Sequence, residues 1–100
     1  MLGIVWTYQV RPDRIAEFER RYAAGGDWAK LFGRARGFRF TSLGRDAEHP
    51  GRYLTIDAWD DLESFERFKH DFAREYEALD KECEELTVEE RRIGSFEVLS

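Results

Sequence analysis

The sequence predicts an α+β fold in which helices cover one face of a four-stranded antiparallel sheet. A length of 100 residues leaves room for one domain, residues 1–100. Segments with strand and helix periodicity follow each other in the order β-α-β-β-α-β. Residues 15–20 (IAEFER) weakly resemble residues 62–67 (LESFER), and a strand precedes each stretch. Two βαβ halves would produce such a repeat.

Two periodicities predict the first strand and the first helix. In Ile4–Val10 alternate residues, Trp6 and Tyr8 among them, place their side chains on one face of a strand. Apolar residues then recur at helical spacing over Ile15–Tyr22. The pair Gly25-Gly26 is expected to end this helix, because glycine favours the position that follows a helix.

A short helix and a second strand follow. Asp27 is placed to cap a helix that carries Trp28 and Phe32 on one side. Since glycines flank this helix, it is a plausible lid for a pocket. Phe38–Arg45 has the pattern of a strand whose first residue shares a face with Phe40.

The second half of the chain predicts a strand over Tyr53–Trp59 and then the longest helix. Asp60 and Glu63 have the spacing of a capping box, and an apolar stripe then continues for about 24 residues. The acidic run Glu82–Glu90 is expected to be the solvated end of this helix and the turn after it. Ile93–Leu99 is the predicted fourth strand. The complete order is that of a ferredoxin-like fold with right-handed crossovers.

Apolar side chains are predicted on both faces of this sheet. Trp6 and Tyr8 oppose Val5 on the first strand, and Tyr53 opposes Leu54 on the third. Helices on one side alone would leave the other side as a large apolar patch, and such patches mark interfaces. We therefore predict a homodimer in which the uncovered sheet faces pair.

Composition and motifs argue against several classes of function. The net charge is −5 and the pI about 5.1, and residues 52–59 match an RNA-recognition motif only at their ends, so nucleic acid is not an expected partner. No apolar run approaches the roughly 20 residues that span a bilayer, so no membrane contact is expected. His49 and His70 lack the local spacing of metal ligands, and no metal is expected. The single Cys83 fits a reducing compartment and a cytoplasmic protein.

Aromatic side chains between sheet and helices are candidates for a substrate pocket, and an ordinary core is the competing interpretation. Tyr8 has a hydroxyl that can orient a substrate oxygen. Asp57 lies between apolar neighbours, so burial would raise its pKa and make it a general base; the alternative is an ion pair with an arginine across the dimer interface. Both are candidate catalytic residues. The candidate pocket residues are Trp6, Trp28, Phe32, Phe40, Tyr53 and Arg39, the last within an arginine cluster suited to an anionic substrate.

Three features are shared with a known family. The first strand runs into Arg11-Pro12-Asp13, Gly37-Phe38 opens the second strand, and Asp57–Phe65 (DAWDDLESF) has an acidic-x-aromatic strand end that leads into a helix. With these features the chain resembles the antibiotic biosynthesis monooxygenase-like family of dimeric α+β barrels. The resemblance covers nearly the whole chain and implies that two sheets pair in a dimeric barrel.

The resemblance also bears on function. The family includes oxygenases without metal or flavin, in which the substrate supplies the electrons, and haem-degrading enzymes. Relatives often carry His or Trp in the helix after the strand-end aromatic; here Trp59 is that aromatic and Phe68 takes the later position, and both join the candidate pocket. Ala78 and Trp6 stand where haem degraders have His and Asn, so haem is not implied.

Two functions remain open at this point. The resemblance implies a monooxygenase-like protein that uses no cofactor and acts on an aromatic or quinone-like small molecule. The departure at Phe68 favours the alternative, a non-catalytic dimeric module that binds a small molecule or only assembles.

Overall fold

Four antiparallel strands form one sheet in the computed structural model, which describes residues 1–99; Ser100, the last residue of the predicted domain, lies outside the described residues. The strands are β1 (Leu2–Val10), β2 (Phe38–Arg45), β3 (Arg52–Trp59) and β4 (Thr87–Glu97). The helices are α1 (Ile15–Tyr22), α2 (Asp27–Phe32), α3 (Leu62–Asp71) and α4 (Ala73–Cys83), with short 3-10 turns at Pro12–Arg14 and Glu84–Leu86. The strands lie in the order β2-β3-β1-β4, which confirms the predicted α+β ferredoxin-like fold.

The alternation of β1 divides the sheet into two faces. Ile4, Tyr8 and Val10 are buried on the face that carries the helices, which we call the inner face. Val5 and Thr7 lie on the opposite, outer face. Because β1 pairs with β3 on one side and β4 on the other, its inner side chains form the middle of the core.

A bulge at the start of β2 reverses one expectation. Phe38 pairs with Trp59, and Phe40 pairs with Ala58, the residue that precedes Trp59 in sequence. Arg39 therefore has no partner in β3 and is the extra residue of a β-bulge. The bulge leaves Phe38 partly buried on the inner face and turns Phe40 to the outer face, where it is 46% exposed. The prediction that both phenylalanines share one face is therefore wrong.

β4 begins six residues earlier than predicted. Thr87 pairs with Val10, and Glu90 pairs with Tyr8, so half of the acidic run belongs to a strand and not to the end of a helix. β4 is an edge strand, and edge strands tolerate charged side chains. For that reason this segment lacks the apolar alternation that would have revealed it.

The predicted long helix is two helices that meet at Phe72. The backbone of Phe72 leaves helical geometry (φ −116°, ψ 29°), although its N–H still donates to the carbonyl of Phe68 at 2.9 Å. α3 is capped by Asp61, which accepts a hydrogen bond from the Ser64 backbone N–H at 2.8 Å. The N-cap residue is therefore Asp61, one residue after Asp60, at which the predicted capping box begins. At α2 the cap position belongs to Gly26, and Asp27 is the first helical residue.

The core is an aromatic cluster between the inner face and the helices. Trp59, Phe18 and Phe68 are at most 1% exposed, and their rings meet neighbouring rings at centroid distances of 4.1–6.1 Å. Within residues 1–99 no helix covers the outer face, which presents large exposed apolar side chains: Phe40, Leu54, Phe96 and Val98. Among residues 1–99, no helix has the length and apolar character needed to cross a membrane.

Candidate functional site

A small pocket opens between the inner face and helices α2 and α4. Its enclosed volume is about 50 Å³, room for one or two water-sized groups. The residues around it come from all four strands and three helices: Trp6, Tyr8, Tyr22, Trp28, Phe32, Thr41, Thr55, Asp57, Tyr76, Asp80 and Glu90. Six of these side chains are aromatic, and the ionisable groups other than tyrosines are all carboxyls.

Edge-to-face and tilted ring contacts fix the aromatic wall. The ring of Tyr22 lies 5.1 Å from that of Tyr8 and 6.1 Å from that of Trp28. Trp28 in turn meets Tyr76 at 5.2 Å in a T-shaped contact and Phe32 at 5.7 Å. α2 thus supplies one side of the pocket and α4 another, while β1 supplies its floor. Rings packed in this way hold one another at set angles.

The hydroxyl of Tyr8 lies at the floor of the pocket, 2.8 Å from Oγ1 of the buried Thr55. Burial raises the pKa of Tyr8 far above its ordinary value, although the hydrogen bond with Thr55 acts in the opposite direction. The phenol therefore stays protonated at neutral pH. Since either oxygen can donate in this pair, Tyr8 can turn its own proton towards a ligand when Thr55 donates.

Asp57 is the carboxyl nearest the centre of the sheet. Oγ1 of the buried Thr41 donates a hydrogen bond to Asp57 Oδ1 at 2.8 Å. Desolvation raises the pKa of Asp57 to about 6, and the hydrogen bond from Thr41 partly opposes this shift. Within residues 1–99 no arginine or lysine forms an ion pair with Asp57. A carboxyl with this pKa exchanges its proton near neutral pH, as a general base must.

Two more carboxyls, Asp80 on α4 and Glu90 on β4, form the rim of the pocket. Desolvation raises the pKa of both groups, and the charge of Asp80 raises that of Glu90 further. The charge of Glu84 also raises the pKa of Asp80 and of Glu90. Burial also raises the pKa of Tyr76, to about 12. In the described part of the chain neither rim carboxyl has an ion-pair or hydrogen-bond partner.

One polar group without a partner also borders the pocket. The indole N–H of Trp28 is buried and has no hydrogen-bond partner among residues 1–99. The hydroxyl of Tyr22, by contrast, lies close to the thiol of the buried Cys83. Buried polar groups of native proteins are usually paired, so the Trp28 N–H is a candidate to meet a ligand or a water molecule.

The structure brings five of the predicted site residues together: Trp6, Tyr8, Trp28, Phe32 and Asp57 all border the pocket. The others lie elsewhere. Trp59 and Phe68 pack within the core beside Phe32, and Tyr53 donates a hydrogen bond to Glu19. Because of the β2 bulge, Phe40 is on the outer face and Arg39 pairs with Asp60 in solvent at 2.6 Å. These five residues therefore do not line this pocket.

Six lining residues were not predicted: Tyr22, Thr41, Thr55, Tyr76, Asp80 and Glu90. Tyr22 and Tyr76 do fall on the apolar stripes of their helices, which was a usable signal. Thr55 lies two residues from Asp57 on the same strand face, which also points to it. Glu90 had no signal, since an acidic residue on an unrecognised edge strand looks like any solvated charge.

The other candidate groups do not line this pocket. The described residues contain no cluster of three His, Cys, Asp or Glu side chains that could hold a metal ion. His49 and His70 are exposed, as predicted. Cys83 is buried, also as predicted, and burial raises the pKa of its thiol.

These features define a small α+β domain with an aromatic, carboxyl-bearing pocket beside its sheet. The family model described as antibiotic biosynthesis monooxygenase matches residues 1–85, and the chain belongs to that family. Comparison with curated proteins gave no match.

Solved structures share the fold over the whole chain. SnoaB, a cofactor-independent oxygenase from Streptomyces nogalater, superimposes with a TM-score of 0.77 and 24% identity, over 99% of this chain and 93% of that one. A candidate antibiotic biosynthesis monooxygenase from Bordetella bronchiseptica gives 0.80 and 24%, over 99% and 97% of the two chains. One from Deinococcus radiodurans gives 0.77 and 15%, over 100% and 94%. At such identities the likeness concerns the fold.

Proposed function

We propose that this protein is a cofactor-independent oxygenase that acts on a small aromatic or quinone-like molecule. Family membership makes oxygen chemistry the natural assignment. The observation that carries the proposal is Asp57, a carboxyl with a pKa of about 6 that borders an aromatic pocket. Such a group is half-ionised near pH 6 and mostly a carboxylate at pH 7, so it can accept a proton from a substrate and release it again.

The proposed reaction draws its electrons from the substrate. The Asp57 carboxylate removes a proton from an acidic methylene group, and the resulting carbanion forms a carbon–oxygen bond with dioxygen. The peroxide then loses water as its O–O bond breaks and a carbonyl forms, so that CH₂ and O₂ become C=O and H₂O. The protonated hydroxyl of Tyr8 is placed to donate a hydrogen bond to a substrate oxygen and stabilise the anion.

An aromatic ring needs more room than the enclosed 50 Å³. α2 is the element we expect to move, because it is only six residues long and its Trp28 and Phe32 form one wall. Gly26 and Gly33 flank it, which suits a segment that changes its backbone angles on opening.

Oxygen uptake in metal-free buffer tests the proposal, with a panel of anthrones and hydroquinones as substrates. We expect consumption of one O₂ per product carbonyl by the wild type and its loss in Asp57→Asn. Glu77→Gln, an exposed carboxyl of α4 outside the pocket, is the matched control and should retain full activity. Absence of uptake with every compound, while a ligand still binds, would remove the oxygenase assignment.

The small volume of the pocket favours one alternative, a non-catalytic dimeric module that binds a small molecule. A cavity of this size suits the recognition of a head group better than the enclosure of a fused ring system. Under this alternative a ligand raises the melting temperature without oxygen uptake, and Asp57→Asn changes binding alone.

We further propose that two copies pair through their outer faces. Phe40, Leu54, Phe96 and Val98 are 37–50% exposed there and form an apolar surface of the kind that marks an interface. Leu54→Glu should shift the protein to a monomer in sedimentation or light scattering. Leu62→Glu, which places the same charge on an exposed leucine of the helix layer, should leave the dimer intact. A wild type that is monomeric at micromolar concentration would contradict this proposal.

We also propose a cytoplasmic location. Cys83 is buried and is the one cysteine of the sequence, which suits a compartment where thiols stay reduced. Cell fractionation with an antibody against the native chain would test it, and recovery outside the cytoplasm would be the contrary result.

A further inference from the structure

We infer that the pocket selects aromatic substrates that carry an ammonium group, and that Asp80 and Glu90 at its rim bind this charge. The inference rests on the proposed function, because it names the substrate class of the same site. It reverses the expectation from sequence that arginines would steer an anion to the pocket.

The charges around the pocket have one sign. Asp57 lies at its floor and Asp80 and Glu90 at its rim, and among residues 1–99 no arginine, lysine or histidine borders it. Two arginines near the start of β2 pair with carboxylates outside the pocket: Arg39 with Asp60, and Arg34 with Glu75 at 3.8 Å. Arg36, the third, does not border the pocket either. An anionic substrate would therefore meet repulsion at the mouth, whereas a cation would be attracted.

The two cations closest to this region do not neutralise the rim. The Lys69 ammonium lies 4.4 Å from the centre of the Tyr76 ring and lowers the pKa of Asp80, yet forms no ion pair with it. Arg92 donates a hydrogen bond to Ser95 at 2.6 Å. Within residues 1–99 Asp80 and Glu90 thus keep their full capacity to accept hydrogen bonds from a ligand.

The walls suit a cation as well as an aromatic ring. Tyr8, Tyr22, Trp28 and Tyr76 turn their rings towards one space, and aromatic walls attract ammonium groups through their quadrupoles. The position of Lys69 over Tyr76 shows that this ring already receives an ammonium on one side.

A second feature that points to a ligand is the indole N–H of Trp28. Trp28 is nine-tenths buried and borders the pocket, and its N–H has no hydrogen-bond partner among residues 1–99. A donor in that position can bind an oxygen of the aromatic substrate. Desolvation is the main cause of the raised pKa values of Asp80 and Glu90, and the charge of Asp80 raises that of Glu90 further, so a cation bound at the rim would favour the ionised form of both carboxyls.

Three compounds with the same phenol ring and different side chains test the inference: tyramine carries an ammonium group, 4-ethylphenol is neutral, and 4-hydroxyphenylacetate is an anion. Their dissociation constants at pH 7.5 follow from titration calorimetry or from the fluorescence of the tryptophans in the wall. We expect tyramine to bind about tenfold more tightly than 4-ethylphenol, and the anion more weakly than either. The preference should shrink at high ionic strength.

Variants assign the preference to the rim. Asp80→Asn and Glu90→Gln should each reduce tyramine affinity by about threefold to tenfold and leave 4-ethylphenol unchanged. Glu77→Gln removes the same charge from an α4 position outside the pocket and should change neither affinity. All three positions are exposed, so circular dichroism melting should confirm that each variant folds.

The outcomes separate this inference from the proposed function. Equal affinity for the three phenols, a preference for the anion, binding of none of them, or a preference that persists when both rim carboxyls are neutral would overturn the inference, even if oxygen uptake is found. An ammonium preference that depends on Asp80 and Glu90 would support it, even if every compound of the anthrone and hydroquinone panel leaves oxygen untouched.

Discussion

Two carboxyl–tyrosine sites lie on the helix-covered face of the sheet, and their chemistry differs. At one, Glu19 of α1 accepts hydrogen bonds from the Tyr53 hydroxyl and from Arg45, whose Nη2 lies 2.6 Å from Glu19 Oε2. Donors and a cation together lower the pKa of Glu19. At the other, Asp57 has one neutral donor, Thr41, and desolvation raises its pKa.

The difference is one of counter-ions. Glu19 is tied to β2 and β3 by a phenol and a guanidinium, so its charge is neutralised within the fold and it braces α1 against the sheet. Asp57 is embedded in the sheet and opens on a pocket whose other carboxyls are also unpaired. A protein that leaves a carboxyl in such surroundings forgoes stability there, which is typical of functional sites.

The largest effect that we expect concerns turnover by Asp57→Asn. If Asp57 is the general base, its loss should slow oxygen uptake by about 100-fold or more. In the wild type the rate should rise with pH and reach half its maximum near pH 6, where Asp57 ionises. An oxygen electrode measures both. A variant that keeps the wild-type rate and pH profile would show that the pocket carboxyl is not the base.

The next effect is on stability and depends on pH. The folded pKa of Asp57 is raised from 3.8 to about 6, so the native state holds its proton more tightly than the unfolded state does. Wild-type stability therefore declines as the pH rises from about 4 to 6, and the cost is complete above that window, at about 1–3 kcal/mol. Asp57→Asn should exceed the wild type by this amount at pH 7.5.

Urea unfolding at several pH values checks this prediction. Below about pH 4 Asp57 becomes protonated in the unfolded state as well as in the folded state, and the stability difference between wild type and variant should disappear. A variant that is less stable than the wild type at pH 7.5 would mean that the interactions of the Asp57 carboxylate stabilise the fold by more than its desolvation destabilises it.

Glu19→Gln should change the stability in the opposite direction and by a smaller amount than Asp57→Asn does. The pKa of Glu19 is lower in the folded state than in the unfolded state, so its carboxylate stabilises the fold. This stabilisation is present at a pH above the pKa of the unfolded state and is lost as the pH falls through the pKa of the folded state. We expect the variant to be less stable than the wild type by about 1 kcal/mol at pH 7.5, because Glu19 is partly exposed and its pairs are screened. Oxygen uptake should not change. If the two variants shift stability in the same direction, the contrast between the sites fails.

The smallest effect separates the two tyrosines. Tyr53→Phe removes a donor from Glu19, which keeps Arg45, so a loss of about 0.5–1 kcal/mol with unchanged turnover is expected. Tyr8→Phe removes a hydroxyl from the pocket floor and should lower kcat in addition to its effect on stability. Thermal melts and steady-state rates for the pair distinguish them, and a loss of turnover in Tyr53→Phe would argue against a purely structural role.

The fold could be predicted because its signals are local. Period-two alternation marks β1, β2 and β3, and the spacing of apolar residues marks α1, α2 and the α3–α4 stripe. The exceptions have physical causes. The bulge at Arg39 moves Phe40 to the outer face although Phe38 and Phe40 alternate in sequence, and the charged first half of the edge strand β4 has no apolar alternation to detect.

The candidate site was predictable in part. Trp6 and Tyr8 were found because strand alternation places them on one face, Asp57 because it is a carboxyl between apolar neighbours, and Trp28 and Phe32 because they lie on one side of a glycine-flanked helix. Tyr53 is chemically a good candidate as well, but its hydroxyl is taken by Glu19, 34 residues away in sequence. Such a partnership cannot be inferred from the residues beside it.

The sequence by itself determined the order of elements, the aromatic identity of the pocket walls and the presence of a carboxyl at position 57, because these follow from residue type and periodicity. The tertiary structure alone decided which carboxyls have counter-ions. Glu90 reaches the pocket through the pairing of β4 with β1, opposite Asp80 on α4, and Arg45 is drawn to Glu19. A pKa depends on desolvation and on charges within a few ångströms, and chain folding sets both.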